Sequence, residues 1–147
     1  MWLRFHAELE LEALMLPDPA DPVRTDGLWQ TTCFEAFTRA EGKDSYLEFN
    51  FSPSSAWAAY RFSSYREAMT EQQLETHPPI HLDASEGHFA LETEIPLEGG
   101  QIELALSAVI EETDGTNSYW ALAHPPGKPD FHHPTCFAAT LPAPEAS

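Results

Sequence analysis

Positive charge is scarce in this chain: 147 residues carry 7 Lys plus Arg against 24 Asp plus Glu, a formal net charge of −17 with His neutral. A surface this acidic repels phosphodiester backbones and anionic lipid, because sequence-independent nucleic-acid affinity comes from clustered Lys and Arg. Nucleic acid and membrane are therefore not expected as partners. No run of about 18 apolar residues occurs, so no segment reads as a spanning helix. Cysteine is nearly absent, and Cys33 and Cys136 alone exclude a disulfide scaffold and a four-cysteine zinc site. The opening Met1-Trp2-Leu3-Arg4-Phe5-His6-Ala7-Glu8 meets charge at once and lacks the apolar core of a secretory signal. The expected compartment is the cytoplasm, with both thiols reduced. Also missing are a Gly-x-Ser-x-Gly elbow, a Gly-rich phosphate loop and a His-Glu-x-x-His pair. Neither cysteine adjoins a basic cluster that would activate it. Catalysis is not indicated, and no cofactor is called for.

What is present favours a folded β protein. Hydrophobic residues at 42% and aromatics at 12% exceed what an acidic disordered chain carries. A chain of this length buries about 70% of its extended surface. One domain over residues 1–141 is expected, with a disordered tail at 142–147. The 13 prolines would break long helices, whereas loops and sheet edges tolerate them. Apolar residues recur with period two in Phe89–Ile95, in Ile102–Ile110 and in Tyr46–Phe51, where Leu47, Phe49 and Phe51 point inward and Tyr46, Glu48 and Asn50 outward. Pro96-Leu97-Glu98-Gly99-Gly100 reads as a hairpin connection. Further strands are expected at Leu3–Leu11, Thr32–Thr38, Trp57–Phe62, Ile80–Asp83, Ser118–Leu122 and Cys136–Leu141, and a helix or loop turn at Tyr65–Leu74. About nine short strands separated by turn chemistry make an all-β, two-sheet antiparallel β-sandwich of jelly-roll-like form the expected fold.

Three groups of residues carry candidate chemistry. If Cys33–Phe37, Tyr46–Asn50 and Trp57–Arg61 are neighbouring strands, Glu35, Glu48, Asn50, Trp57 and Arg61 are expected on one sheet face. A flat ring covers the C–H face of a pyranose, while carboxylate, amide and guanidinium groups bond its vicinal hydroxyls. The bland reading of the same residues is a solvated face with an Arg–Glu pair and a core tryptophan. The second group, Tyr60-Arg61-Phe62-Ser63-Ser64-Tyr65-Arg66, holds two of the few cations, which either recognise a ligand or neutralise nearby carboxylates. The third runs from Trp120 through His124, Lys128, Asp130, His132 and His133 to Pro134, a proline-stiffened loop suited to a binding site. Its histidine spacing matches no tight metal-ligand pair. Glu35 with Glu48 as an acid/base pair is disfavoured, since paired carboxylates are common in so acidic a chain.

The stretch Arg24-Thr25-Asp26-Gly27-Leu28-Trp29-Gln30-Thr31-Thr32-Cys33-Phe34-Glu35-Ala36-Phe37 resembles the leading motif of bacterial DOMON-like domain proteins. Tyr46-Leu47-Glu48-Phe49-Asn50-Phe51-Ser52-Pro53, Trp57–Phe62 with Tyr65-Arg66, Tyr119–Leu122, and His124–His132 ending at Cys136-Phe137-Ala138 continue the likeness. That group resembles the β-sandwich of family nine carbohydrate-binding modules and, more distantly, DOMON domains that bind haem or sugars. The resemblance implies an aromatic platform and polar partners near Trp29, Glu35, Glu48, Asn50, Trp57 and Arg61, with the His124–His132 loop at the same rim. Fold analogy alone does not fix function.

The leading expectation is a non-catalytic ligand-binding module for a saccharide or sugar-like metabolite, using Trp29, Glu35, Glu48, Asn50, Trp57, Arg61, Arg66, Trp120, His124, Lys128 and His132. The alternatives are a haem- or metal-binding redox domain, with His124, His132 or His133 as ligands and Met69 or Met15 as a second haem ligand, and a protein-interaction module. Four of the seven cations, Arg24, Arg61, Arg66 and Lys128, lie inside the motif stretches and leave room for a carboxylate-bearing sugar. Oligomeric state leaves no mark in the sequence.

Overall fold

Alternation of apolar and polar residues becomes ten strands and no α-helix in the computed structural model, which describes residues 1–145. They are β1 (Trp2–Glu8), β2 (Cys33–Ala40), β3 (Tyr46–Phe51), β4 (Trp57–Phe62), β5 (Thr70–Glu71), β6 (Ile80–Ser85), β7 (His88–Glu94), β8 (Ile102–Glu111), β9 (Asn117–Ala121) and β10 (Ala139–Leu141). β1, β7 and β6 form a small sheet; the larger one runs β10-β8-β2-β3-β4-β5, with β9 also paired to β8. Every strand pair is antiparallel. The expected two-sheet antiparallel sandwich is what forms. Of the tail expected to be disordered, residues 146–147 lie outside the described residues, and 142–145 have no regular secondary structure.

Two local expectations are corrected and one is resolved. Pro96–Gly100 does not close a hairpin, because β7 belongs to the small sheet and β8 to the large one. The segment instead crosses the gap between sheets, so that both strands present apolar residues to one interior. At Tyr65–Leu74 the loop turn forms and the helix does not: Arg66 and Ala68 adopt left-handed φ values of 54° and 51°, and the chain then enters β5. Non-glycine residues take that conformation reluctantly, and helices cannot propagate through it. Cys136–Leu141 divides into a 3-10 turn at Pro134–Cys136 and the short β10.

The central strands β2, β3 and β4 of the large sheet are buried on both faces, which removes the expected outward side of β3: all six of its residues are buried. One core lies between the sheets and includes Leu3, Phe49, Phe51, Phe89, Leu91 and Ile95. Phe34 of the large sheet stacks on Phe89 of the small one at 5.7 Å. A second core, with Leu28, Phe37, Tyr46, Tyr60, Phe62, Cys136 and Phe137, fills the opposite face. Cys33 and Cys136 are both free thiols and buried.

The chain before β2 covers the outer edge of β4. Trp57 N–H donates to Val23 O at 3.2 Å and Thr25 N–H donates to Trp57 O at 2.8 Å. The Arg24 guanidinium donates to Ala59 O at 2.9 Å and Gln72 O at 2.6 Å, and its carbon lies 4.5 Å from the Trp57 ring centroid.

Candidate functional site

Loops do not fully cover the second face of the large sheet, and a cleft of about 1000 Å³ remains there. The cross-strand register decides which side chains floor it. Glu35 pairs with Asn50 on one side and Ser107 on the other, and Glu48 pairs with Phe37 and Tyr60. Alternation therefore places Glu35, Glu48, Asn50 and Tyr60 on one face.

This register corrects the expected placement of Trp57 and Arg61. Trp57 pairs with Phe51 and Arg61 with Leu47, so both project from the opposite face. Trp57 packs into the core between the sheets and donates from Nε1 to Pro22 O at 3.2 Å. Arg61 is held by Gln72 at 3.1 Å and Glu98 at 2.9 Å. Their shared parity is correct; the side it faces was set by the length of the connection between β3 and β4, because a one-residue change in register turns a strand over.

Each floor carboxylate has little hydrogen-bonding support. Glu35 is 2% exposed and accepts from Ser107 Oγ at 3.2 Å. The Asn50 carboxamide, oriented with its nitrogen toward the acceptors around it, donates to Glu48 Oε1 at 3.1 Å. Burial pushes the Glu35 carboxyl up to about 8, and the neighbouring Glu48 charge adds to the rise. Burial likewise raises Glu48, to about 7, against the opposing effects of Asn50 and Arg66. The pair thus retains a proton near neutral pH, because two carboxylates that share a dry floor resist ionising together.

His132 closes one side. Its Nδ1 lies 2.7 Å from Tyr46 Oη, which also accepts Arg66 N–H at 3.1 Å. The network is satisfied when Tyr46 donates to Nδ1, leaving the ring proton on Nε2, 3.6 Å from Glu48 Oε2. Burial, reinforced by Arg66, pushes His132 down to about 4, so the ring is neutral at pH 7 and the Glu48 contact is not an ion pair. Phe37 and Phe62 meet its ring edge-on at 5.1 and 5.0 Å. Arg66, in turn, donates to Asp130 at 2.7 Å, and Tyr65 also donates to Asp130.

Aromatic rings border the opening. Gly27, at φ 74°, begins a 3-10 turn over Leu28–Gln30 that buries Leu28 in the second core and leaves Trp29 55% exposed at the cleft. Tyr119, opposite Val109, and Phe131 also line it, their rings 6.3 Å apart.

Of the expected site residues, Trp29, Glu35, Glu48, Arg66 and His132 come together here, and Asn50 supports Glu48 from beneath. Trp120 does not line the cleft: it pairs with Ala108, on the parity opposite to Tyr119, and is 63% exposed. His124 lies beyond Phe131, its ring 6.3 Å away, and Lys128 is exposed; neither lines the cleft. The expected site set left out Tyr60, whose hydroxyl donates to Asp26, and Tyr119 and Phe131, although Tyr60 stands in the Tyr60–Arg66 group and Phe131 in the proline-stiffened loop. The signal for Tyr60 was its shared parity with Phe62 and Ala58, opposite to Trp57. Among the described residues no three His, Cys, Asp or Glu side chains are grouped to hold a metal ion.

No family model matches the chain. No curated protein matches it either. Among solved structures it is similar to the crystal structure of a putative carbohydrate-binding protein from Bacteroides uniformis, with a TM-score of 0.58 and 17% identity, over 96% of this chain and 71% of that one. At this identity the likeness is one of fold.

Proposed function

We propose that the protein is a non-catalytic binding module whose cleft takes a saccharide or sugar-like metabolite. The observation that carries this reading is the juxtaposition of exposed Trp29 with the buried polar floor of Glu35 and Glu48 in one cleft. An aromatic face supports the apolar side of a sugar ring, while the floor supplies directional polar groups. A carboxyl that keeps its proton both donates and accepts, which suits hydroxyls that do the same. The fold shared with a neighbour described as a putative carbohydrate-binding protein is in keeping with this use.

Titration with mono- and disaccharides at millimolar concentration, followed by tryptophan fluorescence and calorimetry, tests the reading. Saturable binding that Trp29→Ala weakens about tenfold or more, with the thermal midpoint unchanged, is expected, because exposed Trp29 supports little of the fold. Absence of binding by every sugar overturns it.

A further inference from the structure

We propose that the ligand of this cleft carries a protonated amine, as an unacetylated amino sugar does, and that Glu35 receives its ammonium group. The saccharide part of this statement rests on the function proposed above; the ammonium part rests on the electrostatics of the cleft. Its lining includes the acids Asp26, Glu35, Glu48 and Glu71 and one cation from Lys or Arg, Arg66. Arg66 is already engaged by Asp130. The other motif cations do not line the cleft: Arg24 is bound to the backbone of Ala59 and Gln72, Arg61 projects from the opposite face, and Lys128 stands outside. A carboxylate-bearing sugar, which the positions of these cations in the sequence allowed, would therefore meet repulsion with no free countercharge.

A second observation concerns one atom. Glu35 is more than nine-tenths buried, yet Ser107 bonds only its Oε2, and Oε1 has no hydrogen-bond partner among the described residues. Glu35 lines the cleft and Oε1 is not sealed from solvent, which leaves this oxygen open to a ligand's donor. Glu35 avoids an unpaired buried charge by keeping its proton, and a donor of opposite charge is the partner that lets it ionise. A primary ammonium brings three donors and a compact charge. A divalent metal fits poorly, since it needs several convergent oxygen ligands and the described residues offer no such group.

The groups facing Glu35 set what happens to its proton. They are Ser107 from β8, Glu48 and Asn50 from β3, Cys33 on its own strand, and Arg66 and His132 from the loops, with Tyr60 of β4 beside Glu48. Seating an ammonium among them favours the ionised pair, so the carboxyl proton leaves for solvent as the ligand binds. No covalent bond changes.

Calorimetric titration at pH 7 with glucose, glucosamine, N-acetylglucosamine and glucuronate tests the proposal. Glucosamine should bind about tenfold or more tightly than glucose or N-acetylglucosamine, the scale of one charge-assisted hydrogen bond, and glucuronate more weakly than glucose. Repeating the glucosamine titration in two amine-free buffers of different ionisation enthalpy should show net proton release from the unaltered protein. Glu35→Gln, which keeps the shape of the side chain, should abolish the glucosamine preference, bringing glucosamine and glucose to equal affinity. Equal affinity for glucose and glucosamine in the unaltered protein, or a preference that survives Glu35→Gln, overturns the ammonium assignment and leaves the saccharide reading standing. Binding of methylammonium with no response to any sugar supports the ammonium assignment and overturns the saccharide reading. No binding by sugars or methylammonium overturns both.

Discussion

Glu35 and His132 oppose each other in their effect on stability with pH. Glu35 is pushed up to about 8 from a usual 4.5, so between those values the folded protein holds more protons than the unfolded chain. Stability consequently falls as pH rises through that window, and Glu48, raised to about 7, acts in the same direction. His132 is pushed down to about 4 from 6.5, so the folded protein holds fewer protons there and stability falls as pH drops through that range. Between pH 4.5 and 6.5 the two carboxyls outweigh the one imidazole, so the thermal midpoint should be highest at about pH 4 to 4.5 and decline as pH rises. Glu35→Gln should remove much of the decline on the alkaline side and raise the midpoint at pH 8 by roughly 5 °C or more. Calorimetric scans from pH 4 to 9 measure both; an unchanged alkaline decline in the variant would show that Glu35 is not its source.

At the scale of elements, the loop after β4 is tied down by Tyr46, whose hydroxyl joins Arg66 N–H to His132 Nδ1. Tyr46→Phe keeps the ring stacked on Phe62 but leaves a donor and an acceptor unpaired. Urea unfolding should register a loss of about 1–3 kcal/mol, with faster amide exchange at Arg66. A stability unchanged within error would mean that water replaces the hydroxyl at no cost. This network was invisible in the sequence, where Tyr46 and His132 stand far apart. The strands themselves were legible, since Phe49 and Phe51, or Phe89 and Leu91, mark a buried parity wherever they occur. Alternation could not say that the other parity of β3 would also be buried, or that Trp57 would face away from Glu48. Both depend on loops and register, properties of strand pairs rather than of any one strand. For the cleft, Trp29 and the two carboxylates were readable by residue type, whereas Tyr119 and Phe131, though inside the motif stretches, could not be assigned to the cleft until β9 and its following loop were placed.

On the scale of the whole molecule, two cores share the large sheet, and only the one between the sheets holds the small sheet in place. Phe89, stacked on Phe34 and 1% exposed, sits at that junction. Phe89→Ala should cost about 3–5 kcal/mol, read from urea or thermal unfolding; a loss under about 1 kcal/mol would mean that the junction repacks. The charge of −17 is spread over a chain whose few cations are largely occupied with structure. Arg24 is the most telling of them, because the segment around it runs beside β4 without forming a long strand of its own. An uncovered strand presents a row of free amides and carbonyls on which another chain can continue the sheet. Detachment of that segment would create such a row, and mutual repulsion between acidic molecules would then oppose polymerisation along it. Colloidal stability thus has two independent guards in this protein, one a short length of backbone and the other its excess negative charge.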